Sequence, residues 1–196
     1  MNLRVITVPL TTFAQLLIST AVGQFYPDGN AGWCLYWTGP PDGFEINRRM
    51  RPDPDTVIMG KTYKILEEFT DQSGNWELER EYYVRSTPDG KGYLYLPDSA
   101  AEFVVGDTAA LAGDTVHQVL CWYDGYQGNC GSHSQEYAFL DAVVDSVVSI
   151  SNMGVTVRRH FVRLLCADDL DPEPQRFFWQ AGMGTSFGPV LRIGNT

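Results

Sequence analysis

The chain has 196 residues, enough for one domain of ordinary size whose core is buried without help from metals or disulfides. Hydrophobic residues make up 44% and charged residues 19%, proportions that exclude a disordered chain, a collagen and a coiled coil. The 14 Lys and Arg residues against 24 Asp and Glu give a net charge of −10, so we expect neither nucleic acid nor an anionic membrane surface as a partner.

The first residues have the pattern of a secretory signal peptide. Arg4 is the only charged residue before Asp28, and the apolar run between them ends in the small residues Ala21-Val22-Gly23, which predicts cleavage after Gly23. A proline and several polar residues interrupt the run, whereas a membrane-spanning helix needs about 20 well-hydrophobic residues. We therefore expect residues 1–23 to be removed and residues 24–196 to form one β-rich domain, secreted or at the cell surface, without a membrane span.

Turn residues recur along the remainder, and the runs between them are short and rich in β-branched and aromatic residues. No window of helical length shows a clean 3.6-residue period. We predict an all-β fold, an antiparallel sandwich or rolled sheet with short strands and turn-rich loops. The candidate strands are Trp33–Trp37, Phe44–Met50, Thr56–Ile58, Thr62–Leu66, Glu79–Arg85, Gly92–Leu96, Val116–Trp122, Val143–Ile150, Val155–Leu165 and Arg176–Gln180.

Two of these runs predict a tight hairpin. Thr56–Ile58 is separated from Lys61-Thr62-Tyr63 by Met59-Gly60 only, and Gly60 supplies the positive φ that such a turn needs.

The four cysteines, at positions 34, 121, 130 and 166, are expected to pair in an oxidising compartment. Three connectivities are possible. Cys121 and Cys130 flank eight turn-rich residues, so we favour that bridge and pair Cys34 with Cys166. A zinc site is the alternative, but no CxxC or HxxxH spacing occurs, and we predict no metal.

Aromatic residues near the favoured bridge are the candidate ligand-binding residues. Trp122, Tyr123 and Tyr126 lie in the stretch between Cys121 and Cys130, where rings are expected to be exposed and could stack on a sugar. Packing of the rings in the core or within the loop is the favoured interpretation, and sugar stacking is the alternative. Trp33 and Trp37, by contrast, fall on one face of a strand and are predicted to lie in the core.

One motif raises the possibility of catalysis. Gly184–Gly188 matches the GxSxG pattern of hydrolases, in which a helix follows the serine. Pro189 and the short tail leave no room for that helix, and no histidine follows Ser186. We predict that the protein is not an enzyme and carries no cofactor, with a serine hydrolase as the least favoured alternative. The three histidines and the acidic segment 168–173 are interpreted as structural or solvated residues.

An ordered series of segments carries a family resemblance: Asp55–Leu66, Tyr82–Arg85, Ala112–Val116, Val144–Val147, Arg158–His160 and Phe178–Pro189. In this order they resemble the β-rich N-terminal region of uncharacterised secreted proteins from Bacteroidetes-type bacteria, many of which carry a C-terminal sorting domain for type IX secretion. The resemblance covers residues from about 33 to 190. It implies a secreted or surface module and brings no catalytic residues with it.

The chain departs from that family at three places. Met59 stands where the family usually has Asn, which favours a type II turn over its mirror image. Ala181 replaces an acidic residue, and the chain reaches Thr196 without a sorting domain. We expect an exported, non-catalytic β domain that acts as an interaction or structural module, with an unknown surface protein or glycan as partner. The alternative is a carbohydrate-binding module that uses exposed aromatic rings.

Overall fold

The computed structural model of the protein describes residues 24–27, 31–37, 44–52, 55–72, 75–123, 137–152, 155–165, 176–186, 188 and 191–193. Across these residues the backbone is mostly extended, with a 3₁₀ turn at Pro97–Ser99 and no α-helix. The predicted all-β fold class is therefore confirmed. No helix in this part of the chain has the length and apolar composition needed to cross a membrane.

The strands form two sheets, one from each half of the chain. Sheet I holds β1 Gly32–Trp37, β2 Phe44–Met50, β3 Thr56–Ile58, β4 Lys61–Gln72, β5 Asn75–Ser86, β6 Lys91–Leu96 and β7 Ala101–Asp107. Sheet II holds β8 Thr115–Tyr123, β9 Tyr137–Asn152, β10 Val155–Leu165, β11 Arg176–Gln180, β12 Gly184–Thr185 and β13 Leu191–Ile193.

Most strands pair with their neighbours in sequence. The order in sheet I is β1-β2-β4-β5-β6-β7, with β3 paired to the beginning of β4, and the order in sheet II is β12-β11-β10-β9-β8-β13. Among the described strands only β13 and β8 run parallel. The predicted antiparallel arrangement is thus confirmed for the other described pairs.

The strand predictions differ from the structure mainly in length. β2, β3, β10 and β11 have the predicted bounds, whereas β4, β5 and β9 extend well beyond them. The extension of β4, Glu67–Gln72, is mostly polar, and its strand conformation comes with cross-strand pairing to β5 rather than from hydrophobic alternation. Strand β7 was not predicted from the sequence. It follows a left-handed residue, Ala100, at the end of the 3₁₀ turn.

The core lies between the two sheets. Sheet I contributes fully buried Leu66, Val84 and Leu94 from three adjacent strands, and sheet II contributes Val144 and Val162 to the same apolar cluster. Burying a side chain of this size stabilises a fold by roughly 1.5–3 kcal/mol. The side chains that alternate with these residues along each strand point away from the core, so each sheet has a second face.

The residues before β1 also belong to the core. We call Gln24–Tyr26 the N-terminal clasp because its backbone bonds to both sheets. The amide of Gly182, in the turn after β11, donates to the carbonyl of Gln24 at 2.7 Å, and the amide of Tyr26 donates to Ser86 Oγ, at the end of β5, at 2.9 Å. Phe25 and Tyr26 are 0% and 1% exposed.

Two glycines of sheet I make room for the ring of Phe25. A Cβ atom on Gly92 would lie 2.1 Å from this ring, and one on Gly106 would lie 2.5 Å from it. Distances this short do not occur between real atoms, so glycine is required at both positions if Phe25 is to pack there.

The predicted hairpin is confirmed, but its predicted turn type is wrong. Ile58 pairs with Lys61 across Met59-Gly60, and both turn residues have positive φ, 50° for Met59 and 77° for Gly60. This conformation is a type I′ turn rather than type II. The type I′ turn matches the right-handed twist of the two strands, and that match outweighs the steric preference of Met59 for negative φ.

Candidate functional site

The face of sheet I that points away from the core carries a cluster of aromatic and charged side chains. Its central residues come from four adjacent strands and are called here the tyrosine face: Lys61, Tyr63, Tyr83, Arg85, Tyr93, Tyr95 and Glu102. Strand register brings them together, because Tyr83 pairs with Tyr95, Tyr95 with Glu102, and Arg85 with Tyr93. Their sequence neighbours Val84 and Leu94 point the other way, into the core.

Glu102 is the electrostatic centre of this face. Arg85 donates to it through two nitrogens, Nε to Oε2 at 2.7 Å and Nη2 to Oε1 at 2.5 Å. The hydroxyl of Tyr63 donates to Oε2 at 2.6 Å, and the ammonium of Lys61 forms an ion pair with Oε1. The hydrogen bonds from Arg85 and then those from Lys61 and Tyr63 lower the pKa of Glu102 to about 2. Glu102 is therefore an anion with all of its acceptor positions occupied.

The rings of the tyrosine face support one another. The guanidinium carbon of Arg85 lies 4.4 Å from the ring centre of Tyr93, a cation–π distance. Tyr95 contacts Tyr83 and Tyr63 with ring centres 6.4 Å and 5.7 Å apart. Tyr63 is buried beneath its neighbours, while the other three tyrosines are half-buried and present part of each ring to solvent. The rings are therefore held in position by contacts with one another and with Arg85.

A second ion cluster continues the same face toward β2. Arg49 and Arg51 donate to the two oxygens of Glu67 at 2.8 Å and 2.9 Å, and Arg51 also pairs with Glu81. Burial acts to raise the pKa of Glu67, but the hydrogen bonds from Arg49 and Arg51 outweigh it and lower the pKa. Arg49 stacks on Phe69 with its guanidinium carbon 4.5 Å from the ring centre.

A third ion pair lies on the core side of the same sheet. The Nε atom of Arg48 donates to Glu68, and the hydroxyl of Tyr82 donates to the same carboxylate oxygen at 3.1 Å. All three side chains are buried. Because this pair is enclosed between the sheets, we assign it to the structure rather than to a binding surface.

The side chains of the tyrosine face are of the types that are common at protein interfaces. Tyr and Arg are enriched at the centres of protein interfaces because they offer large contact areas and hydrogen bonds at low conformational entropy cost. Rings of this kind also stack on sugars. The one carboxylate at the centre, Glu102, is held as an anion by four contacts from three residues and is unsuited to act as a proton donor near neutral pH.

The aromatic residues proposed from the sequence lie elsewhere. Trp122 and Tyr123 end strand β8, where their backbones pair with β13, and Trp122 also pairs with Tyr137 on β9. Their side chains and the whole of Tyr126 lie outside the described residues. The structure therefore does not join them to the tyrosine face, and their role as ligand-binding residues stays a prediction.

The predicted Cys121–Cys130 disulfide is not present. Cys121 is a fully buried thiol whose sulfur donates to the carbonyl of Val119 at 3.6 Å. Its side chain belongs to the core cluster and not to a surface loop, which the spacing of the cysteines does not reveal. Cys34, which the sequence pairs with Cys166, is exposed on β1 and is not in a disulfide, so that predicted pairing is wrong as well; Cys130 and Cys166 lie outside the described residues. No disulfide occurs among the residues that the structure describes.

The serine of the GxSxG segment has a structural role in the described contacts. Ser186 follows the short strand β12, its amide donates to the carbonyl of Phe178 at 2.9 Å, and its hydroxyl accepts from the amide of Phe178 at 3.3 Å. His117 pairs with Asp141 at 2.9 Å on the exposed side of β8. Across the described ranges no three His, Cys, Asp or Glu side chains cluster as metal ligands, and the acidic segment 168–173 and His133 lie outside them.

Sequence reasoning missed the tyrosine face. The signal was present as an alternation, since Tyr83, Arg85, Tyr93 and Tyr95 recur at every second position while valine and leucine occupy the positions between. Glu102 could not be assigned to this face from the sequence, because strand β7, on which it lies, was not predicted.

Comparison of the chain with protein-family models, with curated proteins and with solved structures finds no match.

Proposed function

We propose that this protein is an exported, non-catalytic β domain that acts outside the cell or at its surface as an interaction module, and that its partner binds the tyrosine face. The observation that carries the proposal is the preorganised set of half-buried rings around the Arg85–Glu102 pair. A surface with fixed side chains loses little conformational entropy on binding. Export rests on the signal-peptide pattern and on the resemblance to secreted Bacteroidetes-type proteins.

Charge supports the choice of this surface. The tyrosine face and the adjacent Glu67 cluster hold four cations, Arg49, Arg51, Lys61 and Arg85, against three anions, Glu67, Glu81 and Glu102. The chain as a whole carries −10. These seven residues together carry no net negative charge. The chain as a whole is strongly negative and would repel an acidic partner, so such a partner is repelled less at this face.

A carbohydrate ligand is the second candidate. Three neighbouring tyrosine rings, bordered by the charged groups of Lys61, Arg85 and Glu102, offer both the apolar surface and the hydrogen-bonding groups that a sugar requires. Under this alternative the aromatic residues that bind sugar lie on sheet I rather than in the stretch between Cys121 and Cys130.

Binding arrays test the proposal. The wild-type chain, a combined Tyr83→Ala/Tyr93→Ala/Tyr95→Ala variant and a Phe161→Ala control are applied to arrays of glycans and of extracellular proteins. Phe161 is 38% exposed on the outer face of sheet II, so this control reports the effect of removing one exposed ring from a different surface. We expect the triple variant to lose about tenfold or more in affinity for any array ligand. Equal binding by wild type and triple variant would contradict the proposal.

A further inference from the structure

His160 is a completely buried histidine on β10 whose two ring nitrogens have no hydrogen bond of normal geometry among the described residues, although backbone groups of Ala110 and Trp179 lie near enough to act on its pKa. Its cross-strand neighbour Trp179 is also fully buried, and the indole N–H of Trp179 is likewise unpaired. Buried polar groups without partners are rare, so a native structure that keeps three such atoms on adjacent residues calls for an explanation.

The pair lies beneath the N-terminal clasp. A Cβ atom on Gly106 would come within 2.8 Å of Trp179 Nε1 and within 2.5 Å of the Phe25 ring, so Trp179 and Phe25 meet at this glycine. Trp179 belongs to sheet II, and Gly106 belongs to sheet I. His160 pairs with Trp179, and Trp179 meets Phe25 of the clasp, so one residue separates His160 from the clasp.

Protonation of His160 would place a positive charge in this enclosed site. Burial is the largest influence and lowers the pKa of His160 below its usual value, and Arg158 on the same strand lowers it further. The backbones of Ala110 and Trp179 and the carboxylate of Asp107, at the end of β7, act in the opposite direction but do not outweigh these effects. The neutral imidazole is therefore the form that the folded core accepts.

The sign of the pH effect follows from this shift. In the unfolded chain a histidine titrates near pH 6.5, whereas in the folded chain it takes up its proton only at a lower pH. Below pH 6.5 the unfolded chain consequently binds more protons than the folded chain, and stability falls as the pH decreases from 6.5 toward the folded pKa.

We propose that His160 is an acid-sensitive element of the fold. The N-terminal clasp is closed while the imidazole of His160 is neutral, and it opens when that imidazole is protonated. Release would free the slot between Gly92 and Gly106 and expose the apolar rings of Phe25 and Tyr26. The inference concerns a regulated change of the fold and does not depend on the partner of the tyrosine face.

The test compares amide exchange of the full chain at pH 7.5 and pH 5.0, corrected for the intrinsic pH dependence of exchange. The reporters are the amides of Gly182 and Tyr26, which bond to Gln24 and Ser86 in the closed clasp. We expect their protection to fall as the pH decreases below the unfolded pKa in the wild type, by at most about tenfold for each pH unit, and to stay within about twofold in His160→Phe and His160→Leu.

His117→Phe is the matched control. It also replaces a histidine by phenylalanine, but at a side chain that is 73% exposed and lies away from the core. It should respond to pH as the wild type does. Constant protection in the wild type, or an equal loss in the His160 variants, would overturn the proposal. If neither variant folds, the imidazole resonances of wild-type His160 decide: they must titrate with the same midpoint as the loss of protection, and a different midpoint rejects the switch.

Discussion

At the scale of single residues, Met59 shows how a turn can override the preference of a side chain. Its φ of 50° lies in the left-handed region, which costs an ordinary residue about 1 kcal/mol relative to glycine or asparagine. Met59 is 78% exposed, so its side chain contributes little packing to offset this cost.

We predict that Met59→Asn stabilises the protein by about 0.5–1 kcal/mol, because asparagine tolerates the left-handed conformation that the type I′ turn requires. Urea unfolding of the two proteins measures the difference. Val57→Thr, an exposed change in the same hairpin with no effect on φ, is the control. A destabilised Met59→Asn variant would mean that the turn is not type I′ in solution.

Cys121 gives a second prediction at this scale. Burial raises the pKa of its thiol and its sulfur lies in the core, so a thiol reagent should modify it at least about tenfold more slowly in the folded protein than in urea. Exposed Cys34 provides the comparison within the same chain. Peptide mapping without reduction completes the test, since a Cys121 peptide linked to another cysteine would show that the disulfide forms after all.

At the scale of elements, the Glu102 network joins β7 to β4 and β5. The pKa of Glu102 is about 2 in the folded chain against an ordinary value of 4.5, so its contribution to stability is complete above pH 4.5 and is lost as the pH falls from 4.5 to 2. We predict that Glu102→Gln costs about 1–2 kcal/mol at pH 7, and that the difference from wild type shrinks across this interval.

Glu81→Gln is the control for that measurement. Among the described ion pairs, Glu81 takes part in one, with Arg51, and its side chain is 34% exposed. Removing its charge should therefore cost less than about 1 kcal/mol of stability. Unfolding curves collected from pH 7 to pH 2 give both values. A Glu102→Gln variant as stable as wild type at pH 7 would show that the network does not hold β7 in place.

The positions of most strands in sheets I and II can be read from the sequence, but the faces they form cannot. Alternation of tyrosine and leucine in Tyr93–Leu96 identifies a strand with two different faces. Register across four strands is a tertiary property, and the register shifts at Glu68/Phe69 and Gly92/Tyr93 change which residues share a face. For this reason the tyrosine face emerges only from the folded structure.

At the scale of the whole molecule, each half of the chain forms its own sheet, and the core and the clasp join the two. Consecutive antiparallel pairing dominates both halves, so most strand contacts are between neighbours in sequence. The contacts that unite the sheets include the shared apolar cluster, the bonds made by Gln24–Tyr26, and the hydrogen bond from the indole of Trp33 to the carbonyl of Met183 at 2.9 Å. On the outer face of sheet I, Tyr83, Tyr93 and Tyr95 remain partly exposed among the described residues.

Hydrogen exchange with a bound ligand tests the central claim, that the partner occupies the tyrosine face. Exchange of the wild-type chain is compared with and without a ligand selected on the arrays. We predict slower exchange in β4, β5 and β6, with no change in β9 and β10 on sheet II. Protection confined to sheet II, or to residues 124–136 beside Trp122 and Tyr123, would contradict the claim.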